Sequence, residues 1–180
     1  MRGTGWDSKL IEYQTRCWCS HVELILSDRQ TTIGAQLAGG VLVRCLSDRC
    51  YRNVSRWEIW SYPSTAVEEA LADKYIKETL GEKYDWRAVL AFGLGERDWR
   101  RAGSTICSEW AMGLLERAGI ARLPEKIPVT RVTPRDVYMI FTVIVGVRRD
   151  QALHQEQLNI YAAERGLSPR LSPLVPDASS

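Results

Sequence analysis

Residues 104–115 read Ser-Thr-Ile-Cys-Ser-Glu-Trp-Ala-Met-Gly-Leu-Leu, a pattern typical of an amphipathic helix with a cysteine in its first turn. Ser104 or Thr105 can cap this helix. The three-residue spacing from Cys107 to Trp110 places the sulfur on the apolar face, toward a sheet. Free N–H groups and the helix dipole favour a thiolate at this position. Cys107 is therefore either a reactive thiol or a small buried apolar residue.

A second informative stretch is residues 20–26, which read Ser-His-Val-Glu-Leu-Ile-Leu. Their alternation predicts a half-buried strand with His21 and Glu23 on its polar side. Turn-forming residues at 27–30, followed by a β-branched stretch, predict that this strand begins a hairpin. On its own, His21 is compatible with a structural histidine as well as with a general base.

The register of the hairpin determines which residue can orient His21. A turn centred between residues 28 and 29 places His21 directly across from Gln36, whereas an odd-length loop would place an apolar residue there. The Gln36 amide can then accept a hydrogen bond from Nδ1–H and leave Nε2 facing the thiol, as Asn does in Cys-His-Asn enzymes. Glu23 lies on the same face and is the reserve candidate for this role.

The remaining pattern predicts an α+β fold, with an antiparallel sheet of about five strands packed against the cysteine helix. A helix begins at Thr65, which forms a possible capping box with Glu68. Thr133-Pro134 resembles another helix start or a turn, and it leads into the apolar run 137–147, which we interpret as a buried strand or core segment.

The domain organisation follows from these segments. Residues 1–147 form the predicted catalytic domain, 148–165 a polar peripheral helix with an exposed His154, and 166–180 a disordered tail rich in Pro and Ser.

Composition excludes several classes of function. The chain has 180 residues, a net charge of +2, two histidines and five cysteines. The small charge argues against nucleic-acid binding. The spacing of the cysteines other than Cys107, which are Cys17, Cys19, Cys45 and Cys50, is not typical of a zinc site, so we expect no metal, no cofactor and reduced thiols.

The sequence also allows predictions of the cellular compartment and of membrane-spanning segments. No apolar signal run follows the first residues, so we expect a protein that is cytoplasmic at synthesis. The run 137–147 would span roughly 16 Å as a helix, against roughly 30 Å of bilayer hydrocarbon, so no membrane span is expected.

Four motifs carry a resemblance to a known family. They are Ser-His-Val-Glu-Leu-Ile-Leu at 20–26, Gly-Gly-Val at 39–41, Gly-Glu-Lys-Tyr-Asp-Trp at 81–86 and Ile-Cys-Ser-Glu-Trp at 106–110. Together they resemble the circularly permuted branch of the NlpC-type papain-like cysteine peptidases and amidases (YiiX- and YaeF-like, related to LRAT). The histidine precedes the cysteine, the reverse of the papain order, and the resemblance covers residues 3–140.

The resemblance implies a permuted papain-like fold and a Cys-His-polar triad. His21 would be the general base, Cys107 the nucleophile and Gln36 the orienting residue, with Tyr84 lining the substrate site. Relatives often carry an acidic residue close to Gln36, and an amide there gives weaker stabilisation of an imidazolium.

The implied reaction is hydrolysis of an amide or ester through an acyl-enzyme on the cysteine. Related families cleave peptides of bacterial cell walls, and other permuted members transfer or hydrolyse lipid acyl groups, so the expected partner is a peptide or acyl substrate. The other hypothesis is a non-catalytic binding or structural module of a phage or prophage particle. The protein would reach a cell wall after release by cell lysis or as part of a phage particle.

Overall fold

The computed structural model describes residues 1–46, 54–94, 101–144 and 146–164. Cys50 and the predicted tail 166–180 lie outside these residues. The described part is a mixed α+β structure. Its elements are β1 (Arg2–Gly3), α1 (Trp6–Thr15), β2 (Leu24–Ile25), β3 (Thr31–Gln36), β4 (Gly40–Cys45), β5 (Val54–Arg56), β6 (Trp60–Ser61), α2 (Ala66–Thr79), β7 (Lys83–Tyr84), α3 (Trp86–Leu94), β8 (Ser104–Thr105), α4 (Cys107–Arg117), a 3-10 turn (Val129–Arg131), α5 (Pro134–Thr142), β9 (Arg148–Arg149) and α6 (Gln151–Glu164).

The central sheet has three antiparallel strands in the order β2-β3-β4. Leu24 pairs with Ile33 and Ile25 with Thr32, which confirms the predicted hairpin register. The first strand is shorter than expected, because the Ser20 and His21 N–H groups donate to the Met1 carbonyl instead of to β3. His21 therefore lies just before the paired part of β2.

The prediction of one sheet of about five strands is wrong for the part of the chain that the structure describes. The other strands there form two-stranded pairs: β1 with β5, β6 with β9, and β7 with β8, the last of these parallel. Strand β6 ends before Tyr62-Pro63, and a proline has no N–H to extend a ladder. By strand pairing, these short pairs are separate from the three-stranded sheet.

Helix α4 packs against β3 and forms the main core. Trp110 and Met112 have no exposed surface, and the Trp110 Nε1–H donates to Thr79 Oγ1 at 2.9 Å. The strand contributes Ile33 and Ala35 to the same cluster. The prediction that the face of α4 bearing Cys107 points inward is confirmed.

Of three helix starts considered from the sequence, two are confirmed and one is wrong. The capping boxes of Thr65 with Glu68 and of Thr133 with Asp136 are both present. The proposed capping of α4 by Ser104 or Thr105 is wrong, because these two residues form β8 and Ile106 is the N-cap, with no side-chain hydrogen bond. Pairing of β8 with β7 takes precedence over capping.

Two further predictions, both for the C-terminal part of the chain, differ from the structure. The apolar run after Thr133 begins as helix α5, not as a strand, because the capping box and Pro134 at the first helical position favour a helix. His154 is half-buried instead of exposed, and its ring packs edge-on against Trp57 at 6.1 Å. Burial, with Arg149 nearby, holds the pKa of His154 below its usual value.

None of the described helices is both long enough and apolar enough to cross a bilayer.

Backbone hydrogen bonds join the segment before β7 to β4. The Val41 N–H donates to the Glu82 carbonyl and the Gly81 N–H to the Val41 carbonyl, both at 2.8 Å. Gly40 and Gly81 both have positive φ, at 74° and 84°. A Cβ at position 40 would lie 1.9 Å from the Glu82 carbonyl oxygen, whereas one at position 81 would contact nothing within 4 Å.

We expect Gly40→Ala to destabilise the protein by about 3 kcal/mol or more, because strain and a backbone clash add. Gly81→Ala is the matched control and should cost about 1–2 kcal/mol from left-handed strain alone. Urea denaturation followed by circular dichroism measures both. Equal losses for the two variants would show that the contact with Glu82 contributes nothing.

Candidate active site

Cys107 is the first residue of α4, and its side chain is hydrogen bonded to His21. The residue is only 2% exposed. Burial acts to raise the pKa of Cys107, but the charge and hydrogen bond of His21, with N–H donors from Val22 and Ser108, outweigh it and hold the pKa below its usual value. The thiolate therefore has three donors around it before any substrate binds.

His21 is protonated over a wider pH range than an ordinary histidine. Burial lowers the pKa of His21, but the charge and hydrogen bond of Cys107 and the contact with Glu23 together raise it to about 9. The side chain keeps 23% of its surface exposed. Between the lowered pKa of Cys107 and about pH 9, the pair is a thiolate and an imidazolium.

The orientation of the His21 ring is the reverse of the sequence prediction. Nε2, not Nδ1, faces the polar partners, at 3.0 Å from Glu23 Oε1 and 2.8 Å from the Gln36 amide nitrogen. Nδ1 is then the nitrogen left for the thiol. The physical reason is that the buried Glu23 carboxylate, which Gln36 and Arg44 also contact, lies within hydrogen-bond distance of Nε2.

Both candidates for the third position contact His21, and they also contact each other. Gln36 Nε2 donates to Glu23 Oε1, so the amide and the carboxylate form one unit. The Glu23 side chain is 2% exposed, and its negative charge acts to raise the pKa of His21. Of the two, Glu23 is the residue that can stabilise an imidazolium.

Space for the Glu23 side chain comes from the residue opposite. A Cβ at Gly34 would lie 3.0 Å from Glu23 Cγ, closer than ordinary side-chain contacts. The central strand, β3, therefore has a glycine at the position that the Glu23 side chain packs against. The register that places His21 across from Gln36 also places Glu23 across from Gly34, but the consequence for the Glu23 side chain is visible only in the structure.

Arg44 is a site residue that sequence reasoning missed. Its guanidinium donates to Glu23 Oε1, and only 17% of its side chain is exposed. Arg44 pairs with Thr32, two positions from Gly34, so it reaches Glu23 diagonally across β3. The available signal was a lone arginine within the apolar strand Gly40–Cys45.

Tyr84 lies in β7 and pairs with Thr105, which is two residues before Cys107. It packs between two core clusters instead of lining the cavity described below. The following residue, Asp85, is buried and accepts hydrogen bonds from the N–H groups of Arg87, Ala88 and Arg101. The Tyr-Asp motif thus supports the strand that leads into Cys107.

A cavity of about 680 Å³ borders the site on the His21 side. His21 and Val22, the two residues of this segment that contact the sulfur, are part of its wall, and Cys107 is not among its described lining residues. Much of the remaining wall is apolar and aromatic, including Trp18, Trp57, Leu114, Tyr138 and Phe141. The cavity therefore suits an apolar group.

In the described residues, no group of three or more His, Cys, Asp or Glu side chains is arranged to hold a metal ion. Cys17 and Cys19 contact each other, and Cys45 is exposed.

Comparison of the chain with known protein families, curated proteins and solved structures finds no significant match.

We expect the rate of Cys107 alkylation by iodoacetamide to reach its plateau at a lower pH than the rate for an ordinary thiol such as free glutathione, because the pKa of Cys107 is lowered. His21→Ala should move the Cys107 profile upward by about 1–3 pH units, since it removes a neighbouring positive charge. Peptide mass spectrometry gives the rate at each cysteine, normalised to its plateau because burial affects absolute rates. Coincident Cys107 profiles for the wild-type protein and His21→Ala would contradict the ion pair.

We expect Glu23→Gln to lower the pKa of His21 from about 9 by about one unit or more, because the carboxylate that raises this pKa, and that also contacts the Arg44 guanidinium, would lose its negative charge. NMR titration of the imidazole rings measures the change. His154, the other histidine, is an internal control and should be unaffected. An unchanged pKa of His21 would show that Glu23 does not act on the imidazolium.

Proposed function

We propose that the protein is a cysteine hydrolase that attacks an amide or ester carbonyl and forms an acyl-enzyme on Cys107. The observation that carries the proposal is the hydrogen-bonded pair of Cys107 and His21, in which the pKa of the thiol is lowered and that of the imidazole is raised. A thiol at the start of a helix beside a histidine is the arrangement that activates a sulfur nucleophile.

The residues would act in a defined order. The Cys107 thiolate attacks the carbonyl carbon, and free N–H groups at the start of α4 stabilise the oxyanion. His21 then donates its proton to the leaving group, and the C–N or C–O bond breaks. Water, deprotonated by His21, attacks the acyl-enzyme, which releases the acid and restores the thiolate–imidazolium pair. Glu23 Oε1 accepts from Nε2 of the imidazolium, and Gln36 acts on the ring through its hydrogen bond to Glu23.

The proposal includes a permuted papain-like domain. Support comes from the chain order, in which the histidine segment precedes the cysteine helix, and from the packing of α4 on the central sheet. The buried Asp85 of the Tyr-Asp motif agrees with a structural role for that motif.

The substrate is proposed from the chemistry of the cavity. A wall with Trp57, Leu114 and Phe141 beside His21 favours an apolar acyl group over a highly polar one. Lipid acyl transfer or hydrolysis is therefore the form of the reaction that the cavity supports best. Cell-wall peptides are the other substrate class, and the protein would cleave them in a phage or prophage setting.

One observation favours a second candidate, a non-catalytic binding module. Cys107 is 2% exposed, and buried cysteines are commonly inert. In that case the Cys107–His21 pair would stabilise the fold, and the cavity would hold a ligand without chemistry.

We expect an acyl adduct on Cys107 when the protein is incubated with p-nitrophenyl esters and quenched in acid. Rates should increase from acetyl to octanoyl esters because the longer chain fills the apolar cavity. Cys107→Ala should lose at least about 10³-fold in rate, since the nucleophile is removed. Intact-protein mass spectrometry and nitrophenol release measure both effects.

The matched control is Cys45→Ala, which removes an exposed thiol and should leave the rate unchanged. Peptidoglycan fragments are assayed in parallel, and turnover of these in preference to the esters would select the cell-wall form of the reaction. Absence of an adduct and of Cys107-dependent turnover with every substrate would support the non-catalytic module.

A further inference from the structure

A second pair of reactive groups lies outside the proposed catalytic residues. The Sγ atoms of Cys17 and Cys19 are 2.8 Å apart. A disulfide bond is about 2.05 Å long, so the two sulfurs are already less than about 1 Å from bonding distance. The pair follows α1, which ends at Arg16 in a left-handed conformation that turns the chain.

The two thiols differ in access. Cys17 is half-buried, whereas Cys19 is 2% exposed. Burial, together with the hydrogen bond to Cys17, raises the pKa of Cys19 to about 12, so this residue is a neutral thiol at physiological pH. A small reagent can therefore reach Cys17 first, with Cys19 in contact to complete the exchange.

We propose that Cys17 and Cys19 are a reversible dithiol–disulfide pair that low-molecular-weight disulfides such as oxidised glutathione oxidise. Cys17 attacks one glutathione sulfur, forms a mixed disulfide and releases one reduced glutathione. Cys19 then attacks the Cys17 sulfur, loses its proton to solvent and releases the second. Two protein thiols are oxidised and one glutathione disulfide is reduced, so atoms and electrons balance.

The position of the pair gives the modification a local consequence. Trp18 lies between the two cysteines, and its ring packs edge-on against Tyr138 at 5.7 Å in the cavity wall. Formation of the disulfide bond would restrain Trp18 in the cavity wall. Ser20 is buried, and its N–H is bonded to the Met1 carbonyl, so we expect Cys17 to move and His21 to stay in place.

The pair suits exchange chemistry better than metal binding. In the described residues it has no third and fourth ligand, because no group of at least three potential metal ligands is present there. The inference does not depend on the proposed hydrolase activity, since neither cysteine takes part in that reaction.

The test is a redox titration of the whole chain in glutathione buffers of increasing oxidised fraction, followed by acid quench, alkylation in denaturant and trypsin digestion. Cleavage after Arg16 and Arg29 gives one peptide, 17–29, that contains both cysteines. The expected product is this peptide with two hydrogens fewer and no alkyl group. Reduction with dithiothreitol before alkylation should convert it to the peptide with two alkyl groups.

Two comparisons make the result decisive. Exposed Cys45 monitors the buffer, because its own peptide reports how far glutathione has modified a thiol outside the pair. In Cys19→Ser, Cys17 should stop at the mixed disulfide with glutathione. Stable glutathionylation of Cys17 in the wild-type protein, or both cysteines remaining alkylated when Cys45 is fully modified, would overturn the proposal.

Discussion

The Glu23 carboxylate is almost completely removed from solvent, and His21, Gln36 and Arg44 all contact its Oε1 atom. A buried carboxylate without such partners would be protonated or would destabilise the fold. The arrangement of the site follows from this requirement. Gln36 and Arg44 come from two neighbouring strands, and Gly34 leaves the space between them, so the pairing of β3 with β4 is also what keeps Glu23 charged.

The charge on Glu23 acts on the nucleophile only through His21. The imidazole lies between the carboxylate at Nε2 and the thiol, so negative, positive and negative groups alternate from Glu23 to Cys107. With the Arg44 guanidinium at the far end, the four groups have no net charge. Such an alternating set is much less costly to bury than an isolated thiolate, which explains how a cysteine with 2% exposure can have a lowered pKa.

The cysteine segment and the histidine segment are both held by elements far from them in sequence. The strand pair β7–β8 directs the chain into α4, and Asp85 anchors the backbone on either side of that pair. The N-terminal residue fixes Ser20 and His21 through its carbonyl group. The wall of the apolar cavity includes His21 and, from the Cys17-Trp18-Cys19 segment, Trp18 and Cys19.

The sequence by itself determined the features that depend on neighbours along the chain: the hairpin register that sets His21 beside Gln36, the capping boxes at Thr65 and Thr133, and the inward face of α4. These follow from turn length, local hydrogen bonds and helical periodicity. Only the tertiary structure decided that Arg44 reaches Glu23, that Nε2 faces the carboxylate, and that β8 displaces the expected cap of α4. The reason is that each of these depends on where a second, distant strand or helix lies, and local spacing carries no information about that position.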